Sequence, residues 1–390
     1  MHQTRRWIAP HPGILVLVGV VSFLKPSSTR AEITPPGKLA FYYAFPSVVN
    51  GAVGNLDEVV QTFGAYDAVV FGGDLELPQH TGAPGQNPNF GCEQTSHYDH
   101  DNTRVIIRRI SPPTGHTQVF GYISIGGENT ARQCKDDGPP APHSTEEVQR
   151  RIDAWAAMGV AGVFFDEAEY SFGTTRKRQD AAIDYAHARS LRVFINGYAP
   201  GDVFDDDVVG KITYYDGFRM GQQSTELMNP GGSSSRLGSR DIYLLEHYQI
   251  HDSAFVDVPH WIERADEVFA FRARFGTAIA GVTTLASSQL PPGQCASLFD
   301  QPKLDYAWWS ALLYGFEYVS WGEPNDFSAW GPCVNRLTPY TVPVVTGLGE
   351  FAGPVVHPTG ARSSQHMRAT TTGTIVVDTA SHAGRFLPLK

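Results

Sequence analysis

No apolar run in this 390-residue chain is long enough to cross a bilayer. The longest, residues 14–24, has 11 residues, where a helical span needs about 20. Basic residues are also in short supply. Lys and Arg total 30 against 40 Asp and Glu, a formal charge of −10. That balance argues against nucleic acid and anionic membrane partners, and it tolerates neutral polymers and favours cationic ones. A Gly-x-Ser-x-Gly nucleophile elbow, the Lys of a phosphate-binding loop and a full dinucleotide fingerprint are all missing, which removes the simplest routes to serine-esterase and nucleotide chemistry. There is no internal repeat and no low-complexity block, so solenoid and disordered classes are left aside. Cysteines number only four: Cys92, Cys134, Cys295 and Cys333.

What is present begins with an export pattern. Arg5 and Arg6 precede the short apolar run, and Thr29-Arg30-Ala31 places small residues at −3 and −1 of a cleavage site. Residues 1–31 therefore read as a signal peptide, with Glu32 as the mature start and an extracytoplasmic location. Losing Arg5, Arg6, Lys25 and Arg30 would take the charge to about −14. An even cysteine count in an exported chain permits two disulfides. Of the three possible pairings, Cys92–Cys134 and Cys295–Cys333 are favoured, because each would join loops after neighbouring strands. Free buried thiols are the alternative.

Along the remaining chain, short apolar runs alternate with helical patterns. Strands are expected at 39–45, 67–72, 118–125, 162–166, 192–196, 241–246, 277–285 and 316–321. Helices are expected at 56–63, 103–110, 145–158, 174–190, 259–275, 304–314 and 340–351. The third opens with Ser144-x-x-Glu147, a capping box. Eight strands alternating with helices specify an α/β fold, a single (β/α)8 barrel spanning 32–352. Long loops, 73–101 and 199–240, follow strands 2 and 5. A segment at 211–218 inside the second loop is a possible extra strand. Residues 353–390 read as a small C-terminal appendage.

Two of these strands end in acid. Strand 4 reads Gly162-Val-Phe-Phe-Asp166 and strand 6 reads Ile242-Tyr-Leu-Leu-Glu246. A core has no use for an unpaired carboxylate. In a barrel, side chains of alternate strands share a layer, so Asp166 and Glu246 are expected to face each other across the mouth. Paired carboxylates are the minimum kit for glycoside hydrolysis. Glu167 follows Asp166 and should point away from it along a strand, unless the strand ends there. It is kept as a catalytic candidate of unassigned role, whereas Glu169 reads as a loop residue. Aromatic and polar residues at other strand ends suit sugar rings: Tyr42, Tyr122, Ser124, Asn196, Tyr198, Tyr248 and Trp321 are the candidates for binding substrate. The cluster His97-Tyr-Asp99-His100-Asp101 has metal-ligand residue types but reads as a solvated polar loop. No metal or cofactor is expected.

Gly121-Tyr-Ile, Gly162-Val-Phe-Phe-Asp166-Glu167, Phe194-Ile-Asn196-Gly and Leu244-Leu-Glu246 together resemble the spherulin-4-like glycosidases of glycoside hydrolase family 135 and, more distantly, the endo-α-1,4-polygalactosaminidases. The resemblance implies a (β/α)8 barrel that hydrolyses a galactosamine-containing exopolysaccharide. It also implies essential acids at the ends of strands 4 and 6, carried here by Asp166, Glu167 and Glu246. The long loop after strand 5 departs from compact members of that group. Ser124-x-Gly-Gly127 is similar to the family 18 chitinases, but Phe164 and Ala168 stand where that signature requires acids.

The expectation is a secreted, monomeric glycoside hydrolase with a polysaccharide partner, Asp166 as nucleophile or base and Glu246 as general acid. The alternative is a non-catalytic carbohydrate-binding or cell-surface protein on the same scaffold, which would need the aromatics but not the paired acids.

Overall fold

Alternation along each strand decides what reaches the barrel mouth. The computed structural model describes residues 32–79, 96–130, 142–284, 299–322, 335–359 and 363–390. The expected signal peptide and all four cysteines lie outside them. The barrel strands are β1 (Gly37–Tyr42), β2 (Ala68–Phe71), β3 (Gln118–Ser124), β4 (Gly162–Asp166), β5 (Arg192–Asn196), β6 (Ile242–Leu245), β7 (Ala278–Thr283) and β8 (Tyr318–Trp321). Each pairs in parallel with the next, and β8 closes on β1 with Gly37 opposite Tyr318. This is the closed (β/α)8 barrel expected from the sequence.

Inside the barrel, Leu39, Phe41, Val70, Phe120, Phe164, Phe194, Leu244 and Val282 form one apolar cluster. Intervening residues such as Val69, Val163, Val193, Tyr243 and Val319 belong to a second, between the strands and the helices. Both faces are therefore buried, as parallel strands require. The interior plug is aromatic: Phe164 meets Phe194 edge-on at 5.0 Å and Phe41 at 5.4 Å. This packed floor closes the barrel below the acids.

The helices are α1 (Leu56–Phe63), α2 (His100–Ile110), α3 (Thr145–Met158), α4 (Arg176–Ala188), the short α5 (Pro200–Phe204), α6 (Val258–Phe275) and α7 (Gln301–Tyr314). Capping follows the sequence signals. The Ser144 side chain accepts from the Glu147 N–H at the start of α3, and Asp257 and Asp300 cap α6 and α7 in the same way. Trp155 of α3 packs against β3, where a Cβ on Gly121 would stand 2.1 Å from its ring; only glycine permits that approach. Among the described residues no helix is long and apolar enough to cross a membrane.

Two local expectations fail. Residues 340–351 are not helical: an irregular stretch runs to 350 and a strand, β9 (Phe351–Val356), follows. Pro343 and β-branched neighbours disfavour a helix, and Gly347 and Gly349 take positive φ. Tyr340 instead packs in the outer layer against Tyr66, its hydroxyl bonded to Leu39 and Val319 backbone oxygens. Residues 211–218 form no strand; only isolated bridges, Val209 with Asn229 and Thr213 with Gln223, brace that loop. The C-terminal residues build an antiparallel sheet of β9, β10 (Gln365–Thr370), β11 (Gly373–Asp378) and β12 (Ala383–Pro388). It packs on α7, where Gly384 abuts the Trp309 ring and Arg368 donates to the Leu313 carbonyl.

Candidate active site

Because Phe164, Phe194 and Leu244 point inward, the residues two places later do so as well. Those residues are Asp166, Asn196 and Glu246, and they meet at the mouth. The Asn196 amide nitrogen donates to Asp166 Oδ1 at 2.8 Å and to Glu246 Oε1 at 2.5 Å. Tyr122, inward on β3, donates its hydroxyl to Asp166 Oδ2 at 2.9 Å. The Glu167 N–H reaches Asp166 Oδ1 at 2.9 Å. Three donors on one carboxylate form a setting suited to an anion.

Glu246 is in the opposite situation. Burial, and then the negative charge of Asp166, push its carboxyl up to about 8; the Asn196 hydrogen bond and the Arg264 guanidinium oppose this without cancelling it. At neutral pH Glu246 is therefore mostly an acid. The two neighbouring carboxyl groups thus have different surroundings, one held by three donors and the other raised by burial.

Glu167 breaks the strand alternation. Its φ is +58°, so the chain turns over and its side chain joins the mouth rather than the helix layer. Ser124 donates its hydroxyl to Glu167, and Thr130 stands 3.4 Å from the same oxygen. Thr174 secures the turn by donating to the Glu167 carbonyl at 2.7 Å. A cleft of about 300 Å³ opens here, lined by Tyr43, Asp74, Tyr122, Ser124, Thr130 and Glu167 among others. Glu169, by contrast, is buried and structural: it accepts from the Ala199 N–H at 2.9 Å and from Ser171.

Tyr198 stands at the rim, 42% exposed. The Arg264 guanidinium of α6 lies 4.4 Å from its ring centre and donates to the Glu246 backbone oxygen at 2.9 Å. His247 packs beside it at 6.0 Å and is held to the Thr284 hydroxyl at 2.8 Å.

Three expected sugar contacts are not at the mouth. Tyr42 is fully buried on the helix side, edge-on to Phe63, with its hydroxyl on the Phe45 carbonyl. Trp321 is buried on the outer face of β8 against Phe299. Tyr248 is turned behind β7 after the positive-φ His247 and packs on Phe316. In each case the side chain has the wrong parity or follows a turn. The inward aromatic of β1 is Tyr43, which the parity of Phe41 would have identified. Arg264 carried no sequence signal, because it reaches the site from a helix.

The His97–Asp101 segment is also corrected: His97 and Asp99 are buried, not solvated. Asp99 accepts from the Ser47 N–H and the Asn102 amide, both at 2.8 Å, so it ties the segment after β1 to the start of α2. Among the described residues, no group of three or more His, Cys, Asp or Glu side chains is arranged to hold a metal ion.

No family model matches the chain, and no curated protein matches it. Several solved structures are similar. The glycoside hydrolase domain of PelA from Pseudomonas aeruginosa is 13% identical over 73% of this chain and 94% of that one, with a TM-score of 0.35. An Anoxybacillus α-amylase is 8% identical over 87% and 85%, with a TM-score of 0.45. A dihydrodipicolinate synthase from Agrobacterium tumefaciens is 12% identical over 73% and 69%, with a TM-score of 0.35. Glycosidases and a synthase of unrelated chemistry stand together here. These likenesses carry no argument about reaction, and the barrel rests on its own strand order.

Proposed function

We propose that this chain is an exported glycoside hydrolase that cuts within a polysaccharide with retention of configuration. The observation that carries the reading is the single Asn196 amide nitrogen bonded to both Asp166 and Glu246. Two oxygens held on one nitrogen at 2.8 and 2.5 Å are too close for the roughly 6.5–9.5 Å spacing of inverting enzymes and suit the roughly 5–5.5 Å spacing of retaining ones.

In this reading Asp166 attacks the anomeric carbon while Glu246 gives its proton to the departing oxygen. The resulting glycosyl ester on Asp166 is then attacked by water, which loses a proton to Glu246. The free enzyme is restored and a sugar hemiacetal is released. Glu167, Ser124, Tyr122 and Tyr198 position the sugar. The acidic mouth and the excess of acidic residues suit a cationic polymer. Together with the family resemblance, they favour a galactosamine-containing substrate. The export pattern of residues 1–31 supports a reaction outside the cytoplasm.

The test is release of reducing ends by residues 32–390 from partly deacetylated galactosaminogalactan, chitosan and neutral polysaccharides. Asp166→Asn and Glu246→Gln would be run alongside, and the anomer formed first would be read by NMR. Release by the wild type alone, with retention, supports the reading. Undiminished release by both variants, inversion, or binding without any turnover would overturn it.

A further inference from the structure

Tyr43 follows Phe41 on the inward face of β1, and its ring sits at the mouth, 4.9 Å from the ring of Tyr122. The neighbouring strand end makes room for it. A Cβ on Gly72 would lie 2.6 Å from Tyr43 Cδ1 and 3.1 Å from Tyr122 Cβ, so only glycine at 72 lets both rings occupy this slot. The ring is packed on Tyr122 and backed by Phe41 at 6.5 Å.

The hydroxyl at the end of this ring is buried and has no hydrogen-bond partner among the described residues. Its neighbour is different: the Tyr122 hydroxyl is committed to Asp166. Burial, and then the charges of Asp166 and Glu246, hold the Tyr43 phenol well above its ordinary range, so it keeps its proton through the whole working range of the site. A buried donor with nothing to donate to is unfavourable for the fold. Here the tyrosine lines the cleft that also contains Glu167 and Ser124. An arriving sugar oxygen is the acceptor that this position lacks.

We propose that Tyr43 is a further catalytic residue, whose phenolic O–H donates to a hydroxyl substituent of the sugar held between Asp166 and Glu246. This rests on the glycosidase reading. Hydrogen bonds to ring substituents strengthen as the oxocarbenium-like transition state forms, so the contribution appears in turnover more than in ground-state binding.

Tyr43→Phe removes the oxygen and keeps the ring. Its kcat on whichever polysaccharide the wild type cleaves should fall about 100-fold, the usual effect of losing one transition-state donor, with KM little changed. Its melting temperature should equal or exceed that of the wild type, since an unpaired polar atom is lost. Gly72→Ala, which pushes the same ring aside, should reproduce the kinetic loss. Wild-type kcat in Tyr43→Phe overturns the inference while leaving the glycosidase reading intact. So does a clear drop in melting temperature, which would show that the hydroxyl serves the fold. No release by the wild type on any polysaccharide overturns both.

Discussion

Asp166 and Glu246 accept hydrogen bonds from the same nitrogen, the Asn196 amide, at 2.8 and 2.5 Å. They come from different strands, β4 and β6, and the strand between them supplies the bridge. The amide can satisfy both only while the barrel keeps these three strand ends in register. The pairing is a product of the closed sheet rather than of any one loop, and elements of regular structure hold such geometry more rigidly than loops do.

Asn196→Ala should therefore damage both partners. The amide lowers the Glu246 pKa, so its loss should move the high-pH limb of kcat/KM further up. Asp166 loses one of its three donors, and the maximum rate should fall by about 10–100-fold. A pH profile of kcat/KM for the variant measures both effects. An unshifted limb would show that the bridge does not tune Glu246.

The protonation of Glu246 sets a pH dependence with a definite sign. The proposed mechanism uses its acid form, so turnover should decline as pH rises through about 8. Stability has the same origin. The folded carboxyl holds its proton above the unfolded pKa, so between about 4.5 and 8 the folded state binds more protons and stability falls with rising pH. Glu246→Gln should abolish turnover yet melt a few degrees above the wild type at pH 8, with the advantage shrinking towards pH 4. Thermal unfolding of the two proteins across that range is the measurement.

Glu167 pays a conformational cost at its φ of +58°, of order 1 kcal/mol for a residue with a Cβ. Glu167→Gly should relieve that strain, keep or raise the melting temperature and reduce turnover at least about 10-fold. Glu167→Gln, which keeps the strain and the shape, should separate the charge from the backbone effect. If Glu167→Gly unfolds the protein, its bonds to Ser124 and Thr130 are structural rather than part of a substrate site.

The barrel was legible because its strands are short apolar runs between well-capped helices, and because two of the runs end in carboxylate. Asp166 and Glu246 could be placed facing each other because alternate strands share a layer, and Asn196 was named among the polar residues at other strand ends. Parity was harder to read where both faces of a strand are apolar. Tyr42 and Tyr43 look equivalent in sequence, and only the inward position of Phe41 separates them. Trp321 was misplaced for the same reason. Tyr248 was lost to a turn, since positive φ at His247 redirects everything after it. The failed helix at 340–351 combined apolar spacing with Pro343 and two glycines, and the breakers prevailed. Arg264 joins the site through tertiary packing, to which neither periodicity nor motif spacing gives access.

A second buried titratable group lies where the C-terminal sheet meets α6. His366 on β10 is buried, edge-on to the Trp261 ring at 4.8 Å. Its Nδ1 lies 2.8 Å from Nδ1 of His357, whose Nε2 faces the Asp266 carboxylate at 3.2 Å. Tyr314 donates to the same carboxylate at 2.8 Å. Burial, and then His357, push the His366 imidazole down to about 4, against the opposing pull of Asp266 and Asp378. Its folded pKa is thus below the unfolded value of about 6.5. Between those two values the unfolded chain binds more protons, so this group's contribution is complete near neutrality and is lost as pH falls from 6.5 towards 4. The full effect is at most about 3 kcal/mol. His366→Phe, which fills the same space without a titrating nitrogen, should flatten the acid side of the stability curve while leaving turnover at neutral pH unchanged. Because Glu246 acts in the opposite sense over an overlapping range, the comparison is best made in the Glu246→Gln background. An acid limb that persists in the double variant would place the sensitivity elsewhere in the fold.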